Sequence, residues 1–450
     1  MDIYKFGGSS HRDENALNCV YNVLTRDREP KVSVHSAVGG VTDLLIEGFN
    51  SQRNTRHFLD SVYRQIQERI SRTYHSLPGF NLLMTSNLAE LSNRIREGES
   101  YDLTGNNLQS RLHQARLTSW GELTNRQMIA AYLRHRGLNV KEIDSKECMF
   151  FTGDPLKASY NPGRSDVRIR EQVAGNFDVF IVAGYYGYDE NGNILVTSRG
   201  GSDYTETSIA GPLGVETCYN CTDVNGISPI DPRLLSELER DSVPTIKVIS
   251  YQATQELAKQ GGRVLHPRSV EPLVERRIPL VVMNTFNPGG PKTRVEHVES
   301  AVPEILAVTG KRGSFRTVSL RSGDMEGSSG FFRVMADAFE EIDVDTIATS
   351  AVEISVSSSD PDMDSDRIKT KLSSHGKLST QAGSSLVAIV GNSLGENPLL
   401  ISDFFRVLGE NDIGPLGQIT KANDHCLWVS VPTALYENAM LRLYRGLILR

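Results

Sequence analysis

Two glycine-rich segments carry the residues most suited to chemistry. Lys5-Phe6-Gly7-Gly8-Ser9-Ser10 follows a short apolar strand at Ile3 and Tyr4, and Ser198-Arg199-Gly200-Gly201-Ser202-Asp203 follows another at Ile194, Leu195 and Val196. Both run on into helix-periodic sequence. Glycines at a strand-to-helix turn let backbone N–H groups approach an anion, and the helix start adds partial positive charge. A lone Gly-Gly also marks an ordinary loop. Two such turns, one with a lysine and the other with an arginine and an aspartate, point to a site that transfers a phosphoryl group.

The elements that must position these turns alternate along residues 1–285. Strands are predicted at Ile3–Phe6, Lys31–Ser36, Asn139–Ile143, Val179–Ala183, Asn193–Val196, Val215–Thr222 and Pro279–Asn284. Val179–Val182 and Pro279–Met283 are continuous apolar runs, as strands covered on both faces should be. Ala16, Leu17, Val20, Val23 and Leu24 share one helix face, as do Phe58, Leu59, Val62, Tyr63, Ile66 and Ile70. The fold class is therefore α/β, an open and mostly parallel sheet sandwiched by helices. Residues 51–118 have helix periodicity without a strand, a helical excursion suited to a lid or subdomain.

Asn287-Pro288-Gly289-Gly290-Pro291 marks a change of pattern. Beyond it, strands are predicted at Phe315–Leu320, Thr346–Ser350 and Val352–Ser357, with helices at Gly330–Glu341 and Asp364–Ser374. A second set has strands at Leu386–Val390, Leu416–Thr420 and Leu427–Val431, with helices at Pro398–Gly409 and Ala434–Arg445. Each set is ferredoxin-like, α+β in class. The expected division is 1–290, 300–378 and 379–450.

At 450 residues the chain is too long for one core. A net charge of −7 argues against a nucleic-acid partner. No stretch approaches the ~20 apolar residues of a membrane span. The N-terminus reads as a strand rather than a signal peptide, so the expected location is cytoplasmic. Five cysteines make no disulfide framework. Cys218 and Cys221 fall on a strand at i and i+3, facing opposite ways, and read as buried thiols; no residue set reads as a metal site.

Taken in order, the motifs resemble those of the aspartokinases, a branch of the amino acid kinase family. The matching segments are Lys5–Ser10, Ser36–Thr42, Ser119-Trp120-Gly121-Glu122, Ser198–Asp203, Thr222–Gly226, Asp231-Pro232-Arg233 and Val264-Leu265-His266-Pro267. The C-terminal sets look like two ACT modules, through Ser322–Met325 with Gly330-Phe331, and Val344–Ser350. The resemblance spans almost the whole chain and is weakest over 51–110. It implies transfer of the ATP γ-phosphoryl to the β-carboxylate of L-aspartate with Mg²⁺, the entry to lysine, threonine and methionine synthesis. It also implies a possible amino-acid effector, lysine or threonine, and a homodimer or dimer of dimers. With no Gly-x-Gly-x-x-Gly after a strand, a fused dehydrogenase is not expected.

A carboxylate nucleophile is already ionised at neutral pH, which fits the lack of a histidine-based catalytic set. Lys5 is a point charge suited to the migrating phosphoryl oxygens, or else a snorkelling strand-end lysine. Gly7, Gly8 and Gly201 would donate N–H groups near that phosphoryl, with Ser9 beside the nucleotide and Gly200 and Ser202 beside the acceptor. By the resemblance, Arg199 grips the α-carboxylate and Glu122 accepts from the ammonium; each alone could be a surface ion pair. Asp203 either orients Lys5, helps hold Mg²⁺, or only caps a helix. Ser36 and Thr42 offer hydroxyls nearby. Thr222, Asp223, Arg233 and Arg263 would line the nucleotide, and Met325, Asp345 and Ser350 an effector. Asp231 is open to a role in its loop alone, and His266 reads as structural. His11, Tyr185, Ser228 and Pro229 depart from the family pattern. Two alternatives stay open: another amino acid kinase, of glutamate or N-acetylglutamate type, and an amino-acid sensor with a weak kinase domain.

Overall fold

The computed structural model describes the chain apart from residues 51–54, 99–100, 102–106, 199, 241, 263–264, 299–301, 324–329, 343, 417–418 and 450. It forms two compact units. One comprises Met1–Ile227, Thr245–Gln255 and Val264–Val298; the other comprises Ser228–Pro244, Glu256–Arg263 and Glu299–Arg450.

The strands of the first unit are β1 Asp2–Phe6, β2 Lys31–His35, β3 Val140–Glu142, β4 Phe151–Thr152, β5 Ser159–Tyr160 and β6 Val179–Ala183. They continue with β7 Tyr186–Tyr188, β8 Ile194–Val196, β9 Cys218–Thr222, β10 Val248–Ser250, β11 Leu280–Asn284 and β12 Thr293–Glu296. Eight of them build one sheet in the order β10-β12-β11-β9-β1-β2-β6-β3, parallel throughout except where β11 meets β12. β2 and β6 are buried along their whole length, which is why β6 is apolar without alternation. The strand expected at Asn193–Val196 is not part of this sheet: β8 pairs back on β7 as a separate hairpin. The strand expected from Val215 begins at Cys218, because Val215 still donates its N–H to Ala210 at the end of the preceding helix. β10 and β12, three and four residues long, are too short to show a period.

The helical excursion forms helices Thr55–Tyr74, Phe80–Gly98 and Leu108–Thr118. Val62, Ile66, Ile70, Leu88, Leu91 and Ile95 lie in the same core as Tyr4, Phe6, Leu17 and Val20. These helices are therefore a layer of the core, held by buried apolar area, and not a detachable lid.

The second unit carries β13 Glu304–Arg321, β14 Thr346–Thr349, β15 Glu353–Ser358, β16 Lys377–Asn392, β17 Ile419–Asn423 and β18 Cys426–Pro432. They make one sheet, β14-β15-β13-β16-β18-β17, with every pair antiparallel. Two ferredoxin-like modules share it. Val318, Leu320, Ile354 and Val356 pack with helices Phe331–Ala338 and Asp366–Ser373. Val308, Val387, Ile389 and Val429 pack with helices Pro398–Gly409 and Tyr436–Leu447. β13 and β16 pass through both cores, with a register shift between Lys311 and Phe315 where one hands over to the other. One module is thus inserted within the other, and the strand expected at Phe315–Leu320 is the second half of a longer one. Among the described residues, no helix is long and apolar enough to cross a membrane.

Candidate active site

The C-terminal ends of β1, β2 and β6 open into a cleft of about 380 Å³. That is room for a small polar molecule rather than a peptide. Several element starts point into it. Gly200 adopts φ 77°, a left-handed conformation that glycine reaches without strain, and so turns the chain into helix Gly201–Leu213. Gly201, Ser202 and Asp203 open that helix at the cleft wall. Helix Val41–Asn50 presents Thr42 and Asp43 from its first turn, and helix Trp120–His135 presents Glu122 from its own. Helix N-termini converging this way favour a bound anion.

Lys5 extends from β1 to within 2.5 Å of Asp203 Oδ1. Asn220 donates its side-chain N–H to the same oxygen at 2.8 Å. Register places Asn220 beside Lys5 on the neighbouring strand, so both side chains leave the same face. Burial pulls the Lys5 ammonium toward its neutral form, but the attraction and hydrogen bond of Asp203 more than offset this and keep it above its ordinary value. The cleft therefore holds a fixed positive charge.

Across from it, Glu122 is buried. Its Oε1 accepts the Thr42 hydroxyl at 3.2 Å, while Oε2 is buried with no partner. Burial pushes the carboxyl up to about 8, with the nearby backbone N–H groups of Glu122 and Ala37 and the Thr42 hydroxyl pulling it the other way. An orphaned buried carboxylate oxygen in an open cleft is built to receive a donor.

Of the residues predicted from sequence, Lys5, Ser36, Thr42, Glu122, Gly200, Gly201, Ser202 and Asp203 come together around this cleft. Gly7, Gly8 and Ser9 follow Lys5 at the end of β1, outside the cleft lining but directly beside it: a Cβ on Gly7 would stand 3.4 Å from Lys5 Nζ. Thr222 ends the adjoining β9, its hydroxyl 3.2 Å from Asp223 Oδ1. Arg233 belongs to the second unit, where its guanidinium pairs with Asp231 in an exposed turn. Arg199, Arg263 and Met325 lie outside the described residues. Asp345 and Ser350 stand at opposite ends of β14. Both Asp345 oxygens are engaged: Oδ1 by the Lys311 ammonium, and Oδ2 by the Ser359 N–H at 2.8 Å and hydroxyl at 3.0 Å. His266 caps helix Pro267–Val274 through Nδ1, in keeping with a structural role.

Sequence reasoning missed Asn220, Asp43, Gln114 and Thr197. Asn220 is readable only once the β1/β9 register is known, and Gln114 reaches the cleft from the excursion. Tyr185, noted as a departure, lines the cleft with φ 76°, a conformation costly for a bulky residue.

A cleft at the strand ends of an α/β sheet, with a lysine on the first strand and helix starts suited to anions, matches a class of small-molecule kinase. The chain belongs to the amino acid kinase family, whose model matches residues 3–284. It is similar to the lysine-sensitive aspartokinase 3 of Escherichia coli, 27% identical over 470 residues that cover 99% of this chain and 98% of that one. Aspartokinase 1, chloroplastic, of Arabidopsis thaliana is 27% identical over 431 residues, covering 90% of this chain and 73% of the relative. In fold the chain resembles the crystal structure of E. coli aspartokinase III in complex with aspartate and ADP, with a TM-score of 0.83 over all of both chains at 24% identity.

Proposed function

We propose that the protein is an aspartate kinase, transferring the γ-phosphoryl group of ATP to the β-carboxylate of L-aspartate to give ADP and 4-phospho-L-aspartate. This is the first step toward lysine, threonine and methionine. The observation that carries it is the pairing of opposite demands in one cleft. Lys5 and the helix starts call for anionic groups, while the orphaned Oε2 of Glu122 calls for a cationic donor such as an α-ammonium. An acidic amino acid meets both. The sequence relatives named above support the choice of aspartate.

The step needs no general base. A β-carboxylate oxygen, already ionised, bonds to the γ-phosphorus as the bond to the β,γ-bridging oxygen breaks, and ADP leaves with that electron pair. Lys5 cancels charge on the transferring oxygens, Asp203 and Asn220 hold Lys5 in place, and the Gly8 N–H adds a donor. Glu122 and Thr42 fix the α-carbon end, with Arg199 assigned to the α-carboxylate. Thr222, Asp223, Arg233 and Arg263 are all assigned to the nucleotide from sequence. No group of three or more His, Cys, Asp or Glu side chains able to hold a metal occurs among the described residues. Mg²⁺ would neutralise phosphate charge as an ion carried by the nucleotide, with the Asp203 carboxylate of the cleft lining as the protein group to hold it.

Regulation by lysine or threonine through the ACT modules of a dimer belongs to the same proposal. An effector ammonium seeking Asp345 must displace Lys311. Inhibition is accordingly expected to vanish in Asp345→Ala while uninhibited turnover stays near the parent value; equal inhibition of parent and variant would remove Asp345 from the site. The primary test is coupled ADP release with Mg²⁺-ATP and L-aspartate, L-glutamate or N-acetyl-L-glutamate as acceptor. Turnover with aspartate alone is expected, and turnover confined to glutamate or its acetylated form would overturn the assignment.

A further inference from the structure

We propose that His35 and His11 are a positioning pair for phosphoryl transfer, holding the Gly7 carbonyl through a one-directional hydrogen-bond chain and so aiming the Gly8 N–H at the phosphoryl group. This role presupposes phosphoryl transfer at the cleft, as proposed above.

His35 ends β2 and His11 ends the short 3₁₀ turn Gly8–His11 that follows β1. Both are 0% exposed. Parallel pairing sets Phe6 opposite His35, so the second histidine stands beside the strand end from which the glycine turn departs. The Phe6 and His35 rings stack at 5.4 Å, and the two imidazoles meet edge to face at 5.1 Å. Three contacts run in series: His11 Nδ1 to Gly7 O at 3.0 Å, His11 Nε2 to His35 Nδ1 at 2.8 Å, and His35 Nε2 to Ser33 Oγ at 2.8 Å.

The direction follows from what each atom can do. A carbonyl oxygen only accepts, so His11 Nδ1 must carry the proton. Neutral His11 then accepts at Nε2, and His35 must donate from Nδ1. Neutral His35 in turn accepts at Nε2, and the Ser33 hydroxyl donates. Burial, with Lys5 nearby, holds His11 down at about 4, and burial beside His11 holds His35 well below the imidazole range, so both are neutral at physiological pH.

A trans peptide is planar, with its C=O and N–H pointing opposite ways. Fixing the Gly7 carbonyl therefore fixes the direction of the Gly8 N–H. The Gly7 oxygen also accepts the Ser10 N–H at 3.0 Å, which a 3₁₀ turn supplies by itself. The histidine donor is the additional constraint, anchored to the second strand of the sheet. On the other side the turn has no slack: a Cβ on Gly8 would stand 3.0 Å from Gly39 Cα. A glycine turn is otherwise the most pliable part of such a site, and an amide stabilises developing charge only when it is already aimed. His11 and His35 touch no substrate; they act through the Gly7–Gly8 peptide.

The test is the double variant His11→Val/His35→Val made together with Ser33→Ala, so that the buried hydroxyl that donates to His35 Nε2 is not left stranded. Expected are a melting temperature near the parent's, an aspartate KM changed by no more than about twofold, and a kcat lowered by about tenfold, the pattern of a misaimed transition-state donor. Affinity for inorganic tripolyphosphate, measured by calorimetry, should fall in parallel. Parent-like kcat and tripolyphosphate affinity in that folded variant would overturn the pairing. If the parent shows no aspartate-dependent ADP release yet tripolyphosphate affinity still depends on the histidines, the acceptor assignment fails and the brace stands. Independently of any variant, ¹⁵N NMR of histidine-labelled parent protein should show the Nδ1–H tautomer for both residues; Nε2–H on either would break the chain.

Discussion

Aspartate binding should release a proton from Glu122. In the free cleft this carboxyl is buried and pushed up to about 8, so it is mostly protonated at neutral pH. A substrate ammonium settling on the orphaned Oε2 favours the ionised form. Linkage then gives an apparent Kd equal to the plateau value multiplied by 1 + 10^(pKa − pH). Affinity for aspartate should level off as pH approaches 9, and be about tenfold weaker at pH 7 and about a hundredfold weaker at pH 6. Proton release should be about 0.9 per site at pH 7, falling to about 0.5 at pH 8. The aspartate carboxylates are ionised across this range and contribute no slope. Glu122→Gln loses a charge-assisted hydrogen bond, so it should bind about 30–150-fold more weakly on the plateau, corresponding to about 2–3 kcal/mol, with no slope below it. The two affinity curves should meet between about pH 5.8 and 6.5. Calorimetry with L-aspartate in two buffers of different ionisation enthalpy measures the released proton directly. An apparent Kd unchanged between pH 6 and 8, or a slope that survives in Glu122→Gln, would refute the coupling.

Two further outcomes follow from the same geometry. Lys5→Ala removes the fixed positive charge and should lower kcat by about 10²–10³ with a smaller change in aspartate KM; near-parent turnover in the folded variant would remove Lys5 from the chemistry. Glu206 is fully buried on helix Gly201–Leu213 with neither carboxylate oxygen partnered, and burial, reinforced by Asp203 and only partly relieved by Lys5, holds its pKa well above the ordinary value. An acid raised in the folded state costs no stability at low pH and progressively more as pH climbs from its unfolded value toward the folded one. Glu206→Met should therefore stabilise by about 1–3 kcal/mol at pH 8 and by less at pH 5. Denaturant melts at both pH values check this, and a variant less stable than the parent at pH 8 would contradict it.

What could be seen in the sequence and what could not divides along the physics of each signal. Buried parallel strands such as β6 announce themselves by composition, and helix Pro398–Gly409 by its proline start and glycine end. The insertion of one ACT module within the other could not be read. Nothing in the local sequence of Glu304–Lys311 says that it pairs with a strand some eighty residues on rather than with its neighbours. Lys5, Glu122 and Asp203 were legible because motif order pointed to them, whereas Asn220 needed the β1/β9 register. His11 shows most clearly where such reading stops. Alone it was a departure from the family pattern, a polar residue where an aliphatic one is usual, and its meaning depended on a partner 24 residues away. That partner is His35, brought beside it because Phe6 and His35 share a register position. One buried histidine on that turn would leave a ring nitrogen unsatisfied; two, ending on Ser33, satisfy every nitrogen and tie the phosphate turn to the sheet. The pair is intelligible only as a unit, which is why substituting both residues, with Ser33→Ala beside them, and not either alone, separates its positioning role from the cost of an orphaned donor.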